Sequence, residues 1–74
     1  MGRLIRLDRT GHTTVAEWSA ADPADAERAL AAFAGECERG MIASVDRGEG
    51  RAEVVRELPL DADLVILRRP IAGG

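Results

Sequence analysis

The residues that could do chemistry sit mainly at the carboxyl end, in Pro70-Ile71-Ala72-Gly73-Gly74. The last three positions carry no side chain beyond the methyl of Ala72. A core segment has no need of such a composition, whereas a tail that threads a narrow slot in another protein does. A Cβ would crowd the backbone there, and glycine has none. Arg68 and Arg69 precede the tail, and they suit either a solvated strand end or docking on acidic groups of a partner. His12 falls at a hairpin tip with no Cys, Asp or Ser arranged around it, so it reads as a solvated turn residue. Cys37, the single cysteine, falls on an apolar helix stripe and behaves as a small hydrophobe. It excludes an internal disulfide and a cysteine-based metal cluster. Trp18 reads as core or core edge rather than as a platform for a ligand. No phosphate loop, nucleophile triad or paired-carboxylate arrangement is present. We therefore expect no catalytic residue, no metal and no bound cofactor, and a protein that is not itself an enzyme.

The elements that must position the tail follow from patterning. Arg3 to Leu7 is a first strand. Asp8-Arg9-Thr10-Gly11-His12 suits a three-residue hairpin loop closed by a bulge at Gly11. That register sets Ile5 opposite Val15 and Leu7 opposite Thr13, with Ile5, Leu7 and Val15 on one apolar face. A two-residue loop would flip the second strand, Thr13 to Trp18, onto its other face. Asp22 is an N-cap, Pro23 a first helical residue, and Gly40 the C′ residue of a helix. Ala26, Leu30, Phe33 and Cys37 recur as its apolar stripe. Gly35 inside the helix is a candidate for close approach to the sheet. Met41 to Asp46 and Arg51 to Glu57 are a third and a fourth strand, separated by a glycine turn. Leu64 to Leu67 is a continuous apolar run, as in a strand covered on both faces. Pro70 has no N–H, so the chain leaves the sheet there. The order β-β-α-β-β-β predicts an α+β domain with one helix on a mixed sheet. We expect a domain over 1–69 and a flexible tail over 70–74, with Leu30 and Phe33 touching Ile5, Val15 and Ile66 or Leu64.

The chain of 74 residues is near the lower limit for a core without staples, and its stability should be modest, about 5 kcal/mol. Its net charge of −3 is spread evenly, which is no footprint for nucleic acid. No run reaches membrane-spanning length and no apolar leader is visible, so a soluble cytoplasmic protein is expected. All ten basic residues are arginine, and lysine is absent.

Two stretches resemble known families. Thr10-Gly11-His12-Thr13, followed by a helix opening at Asp22 before Ala26-Glu27, looks like the N-terminal half of ubiquitin. Pro59-Leu60-Asp61-Ala62-Asp63-Leu64-Val65, followed by Pro70-Ile71-Ala72-Gly73-Gly74, resembles the end of the small sulfur carriers of molybdopterin and thiamine synthesis. The resemblance implies a β-grasp, ubiquitin-like fold. It also implies a Gly74 carboxylate that a partner, an adenylating E1-like enzyme, activates with ATP. The acyl group is then held as a thiocarboxylate or passed on, to a sulfurtransferase pathway or to acceptor proteins. Gly73 lies beside that carboxylate, and Arg68, Arg69, Pro70, Ile71 and Ala72 are the residues the partner would recognise. Arg68-Arg69 departs from the apolar residues of the sulfur carriers and is nearer to ubiquitin's basic tail. Residues 41–57 match neither family. The alternative is a non-catalytic β-grasp interaction module with an inert tail, binding through its sheet face or hairpin.

Overall fold

The computed structural model describes residues 1–9, 11–19, 21–48 and 50–70, with the backbone alone at position 47. The elements are β1 (Gly2–Asp8), β2 (Gly11–Trp18), α1 (Pro23–Glu38), β3 (Ile42–Gly48), β4 (Arg51–Val55) and β5 (Leu64–Arg68). The strands form one sheet in the order β2-β1-β5-β3-β4. β5 lies at its centre, parallel to β1 and antiparallel to β3. The helix packs on one face, giving a small α+β domain with a mixed sheet. Residues 71–74, including most of the expected flexible tail, lie outside the described part.

The helix is bounded as its sequence predicts. The Asp22 carboxylate accepts the Ala24 N–H at 3.0 Å, and Pro23 occupies the first turn. At the other end Gly40 takes φ +89°. The Gly40 N–H donates to the Cys37 carbonyl at 2.9 Å, and the Met41 N–H to the Glu36 carbonyl at 3.1 Å. These two bonds form a Schellman closure, which turns the chain directly into β3.

The buried stripe of the helix is not the one expected. It runs through Ala29, Phe33 and Glu36, with Cys37 partly buried against the core, while Leu30 is 43% exposed. Both stripes contain Phe33 at helical spacing, and a rotation of the helix separates them. Ala29, whose small side chain is fully buried, permits the close approach to the sheet. Gly35 plays no such part, since a Cβ there would meet nothing within 4 Å.

The first hairpin also differs from expectation. Asp8 pairs with Gly11, Leu7 with His12 and Ile5 with Thr14, so the link at the tip is one residue shorter than the expected loop. The bulge instead sits inside β2, where Val15 falls between the partners of Leu4 and Ile5. There it lets both Val15 and Ala16 pack against the core. Leu4 belongs to that core and Arg6 reaches the helix, so Ile5 and Leu7 occupy the opposite face. The register carries this division across the sheet. Ile5 is level with Ile66, and Ile66 with Ser44, which is level with Val54. The expected contacts of Leu30 and Phe33 with Ile5, Ile66 or Leu64 are therefore replaced. Phe33 joins a core of Leu4, Trp18, Ala43, Val45, Val65 and Leu67. β5 is covered on one face only: Val65 and Leu67 are fully buried, whereas Leu64 is exposed.

Trp18 closes the core at one end. It pairs with Gly2 and is almost wholly buried. A Cβ on Gly2 would come within 2.1 Å of the indole, so only glycine leaves room for it. The indole Nε1–H donates to the Leu60 carbonyl at 2.9 Å, tying the 56–63 connector to the sheet. Gly2→Ala should therefore displace the ring and cost about 1–3 kcal/mol. Urea unfolding followed by Trp18 fluorescence checks this. An unchanged midpoint would mean that the indole does not rest on Gly2.

Candidate functional site

The candidate site is where the chain leaves β5. Arg68 is the last residue of the strand and pairs with Ile42. Strand alternation places it on the open face with Leu64 and Ile66. Arg69 and Pro70 follow along the start of β3, lining a cleft with Arg39, Gly40 and Met41. The two arginines thus serve different surfaces, Arg68 the open sheet and Arg69 the end of the helix. Ile71, Ala72, Gly73 and Gly74 lie outside the described residues.

A pair of residues that the sequence pattern did not single out organises this end. Arg6 Nη1 donates to Glu36 Oε1 at 2.6 Å, and Arg39 Nη1 lies 3.9 Å from Glu36 Oε2. Glu36 is only 5% exposed although it carries a carboxylate. A buried charge must be paired and hydrogen-bonded or it is costly. Arg6 meets that need from the neighbouring strand face, next to Leu4. The signal was present in the helix: Ala29, Phe33 and Glu36 share one stripe, and a glutamate on a buried stripe demands a cation. The choice of Leu30 for the stripe hid it.

The other singled-out residues fall into place without chemistry. His12 is solvated as expected but is not a turn residue: the shorter hairpin link places it in β2, exposed and paired with Leu7. Cys37 packs against the core, as a small hydrophobe would. Trp18 is core. Among the described residues no three His, Cys, Asp or Glu side chains are grouped to hold a metal ion. Among them also, no helix is long and apolar enough to cross a membrane. What this end of the molecule offers is guanidinium chemistry, which recognises carboxylates and phosphates through planar forks.

Comparison with protein-family models, with curated proteins and with solved structures yields no match.

The Arg6–Glu36 pair has a measurable signature. Arg6→Met leaves the Glu36 carboxylate buried without its main partner. The loss should be about 2 kcal/mol, below the range for fully buried pairs because Arg6 is partly solvated. The double variant Arg6→Met/Glu36→Met should recover most of it. Denaturant melts of the parent, the single variants Arg6→Met and Glu36→Met, and the double variant check this, and additive losses would mean that the pair is uncoupled.

Proposed function

We propose that this chain is a β-grasp, ubiquitin-like protein that acts through the carboxylate of Gly74, as a sulfur carrier or a protein modifier. The strand order β2-β1-β5-β3-β4, with β5 parallel to β1 and one helix across the sheet, supports the fold. The observation that carries the function is the place of β5. It is hydrogen-bonded on both sides and anchored by the fully buried Val65 and Leu67. Arg68 ends the strand exposed, and Arg69 and Pro70 follow it, exposed as well.

In this mechanism an adenylating enzyme supplies ATP, and a Gly74 carboxylate oxygen attacks its α-phosphate, releasing pyrophosphate. A persulfide or thiol on the partner then attacks the acyl carbon and AMP departs. From a persulfide the product is an acyl disulfide, whose S–S bond a second thiol attacks. That step forms a disulfide with the partner's sulfur and leaves the thiocarboxylate on Gly74. This chain contributes the carboxylate, a tail free of Cβ atoms at its last two positions, and the basic exit through Arg68 and Arg69 that the partner would grip. Lysine is absent from these 74 residues, so lysine-linked chains of the protein on itself cannot form. The Pro70-Ile71-Ala72-Gly73-Gly74 ending favours the carrier role, with a thiocarboxylate as its charged form.

A second reading has its own observation. Leu7, Ile42, Val54 and Leu64 are large apolar residues left exposed, and the register sets them on the face away from the helix. Such a patch suits a protein-interaction module with an inert tail.

Intact mass spectrometry separates the two. After incubation with ATP and extract of the cells of origin, the full chain should gain an adenylate, a conjugate, or a sulfur in place of one carboxyl oxygen. Deleting Gly74 should abolish the change and leave the melting temperature unaltered. A chain that stays unmodified, or a truncated one that keeps its cellular activity, would leave the interaction module standing instead.

A further inference from the structure

Four arginines from separate parts of the chain meet at one end of the domain. Arg6 comes from β1, Arg9 from the turn after it, Arg39 from the helix cap and Arg69 from the exit of β5. They line two adjoining open clefts of about 750 and 690 Å³, which share Arg6, Asp8, Met41 and Arg69. Among the described residues the carboxylates lining the clefts are Asp8 and Glu36. Glu36 is buried and bound to Arg6, so these two charges largely cancel within the fold and Arg9, Arg39 and Arg69 carry the basic character. Four cations against two anions make this end +2, which leaves −5 on the rest of a chain whose net charge is −3. Acidic residues gather at the opposite end of β5, where Asp46, Asp61 and Asp63 line a third cleft. A basic and an acidic cleft thus lie at opposite ends of the central strand.

We propose that the basic end is a docking surface for an acidic, extended segment of another protein. Charge complementarity selects an anionic partner, and the uneven field steers its approach. The shape and lining select a peptide over a compact phosphate. The two clefts run into each other, which suits an elongated ligand. Leu7 and Met41 interrupt the guanidinium groups with apolar surface. Asp8, whose carboxylate accepts from Thr13 Oγ1, lines both clefts and sets a negative charge against a dense phosphate anion. Arginine throughout, with no lysine, suits bidentate grip on carboxylates. The docking does not depend on acyl chemistry at Gly74.

Amide chemical-shift mapping of the full chain at low salt tests this, with two probes: a short peptide of alternating glutamate and leucine, and inorganic triphosphate. The peptide should perturb residues 6–9, 39–41 and 68–69, and its affinity should fall as salt is added. Arg39→Glu/Arg69→Glu should weaken binding about tenfold, and Arg39→Lys/Arg69→Lys by less. Arg39→Glu sets a second carboxylate beside the buried Glu36 and should lower the melting temperature. Arg69→Glu alone, at an exposed position, is therefore the control whose melting temperature should hold and whose binding should still weaken. A chain lacking Gly74 should bind as well as the full one, which separates this proposal from the carrier mechanism. Tighter binding of triphosphate would overturn the proposal in favour of an anion site. Concentration-dependent growth in size with shifts at residues 46 and 61–63 would place a second copy in the clefts and overturn it as well. So would peptide shifts confined to the open sheet face, or none.

Discussion

The parallel pairing of β1 with β5 is the constraint on which the rest of this fold depends. Arg3 stands level with Leu64, and the Arg3 N–H donates to the Asp63 carbonyl at 3.0 Å. The paired residues are sixty-one positions apart, so the ends of the chain must meet before the sheet has a centre. Closing so long a loop costs about 2 kcal/mol more than closing one a tenth as long. No local turn offsets that cost. It is met by burial: Leu4 pairs with Val65, both are fully buried, and Phe33 and Ala29 cover them from the helix. Without β5, the β1–β2 hairpin and the β3–β4 hairpin have no common neighbour.

The same pairing gives the molecule its functional asymmetry. A central strand delivers its C-terminal end between β1 and β3, next to the end of the helix. Arg69 and Pro70 therefore arrive where Arg6, Arg39 and Met41 already lie. Arg6 is held in place by a glutamate that the helix buries, so the basic end is anchored to the core through this one pair. At the other end of the sheet, Trp18 rests on Gly2 and fastens the connector that leads into β5. The last strand is thus fixed at its entrance by the indole bond and flanked at its exit by guanidinium groups.

The fold class was legible in the sequence because its signals were local and strong. Asp22, Pro23 and Gly40 bound the helix, and the 64–68 strand is where its apolar run predicts it. The faces were less legible, for a physical reason. Leu4 and Ile5 are adjacent and both apolar, so alternation in β1 could not say which faced the helix. A hairpin one residue shorter than expected reverses that choice, and the bulge at Val15 partly restores it farther along. On the helix, Leu30 is large and apolar, yet the fully buried place belongs to Ala29, because a small residue lets the helix sit close. The open face keeps Leu7, Ile42, Val54 and Leu64 apolar without covering them, so hydrophobicity alone overstates the core. At the candidate site, Arg68 and Arg69 could be seen as a pair. Arg6, Glu36 and Arg39 could not, because their meeting depends on tertiary contacts between strand and helix.

Native-state hydrogen exchange tests most directly whether the β1–β5 pairing holds the domain together. The backbone amides of the β1–β5 ladder, residues 4–6 and 65–67, should exchange together, at the slowest rate in the protein. Their opening free energy should equal that of global unfolding measured by denaturant. An opening of β5 at clearly lower free energy, with the β1–β2 hairpin and helix still protected, would contradict this. It would mean that the last strand is a detachable addition to a core that stands without it.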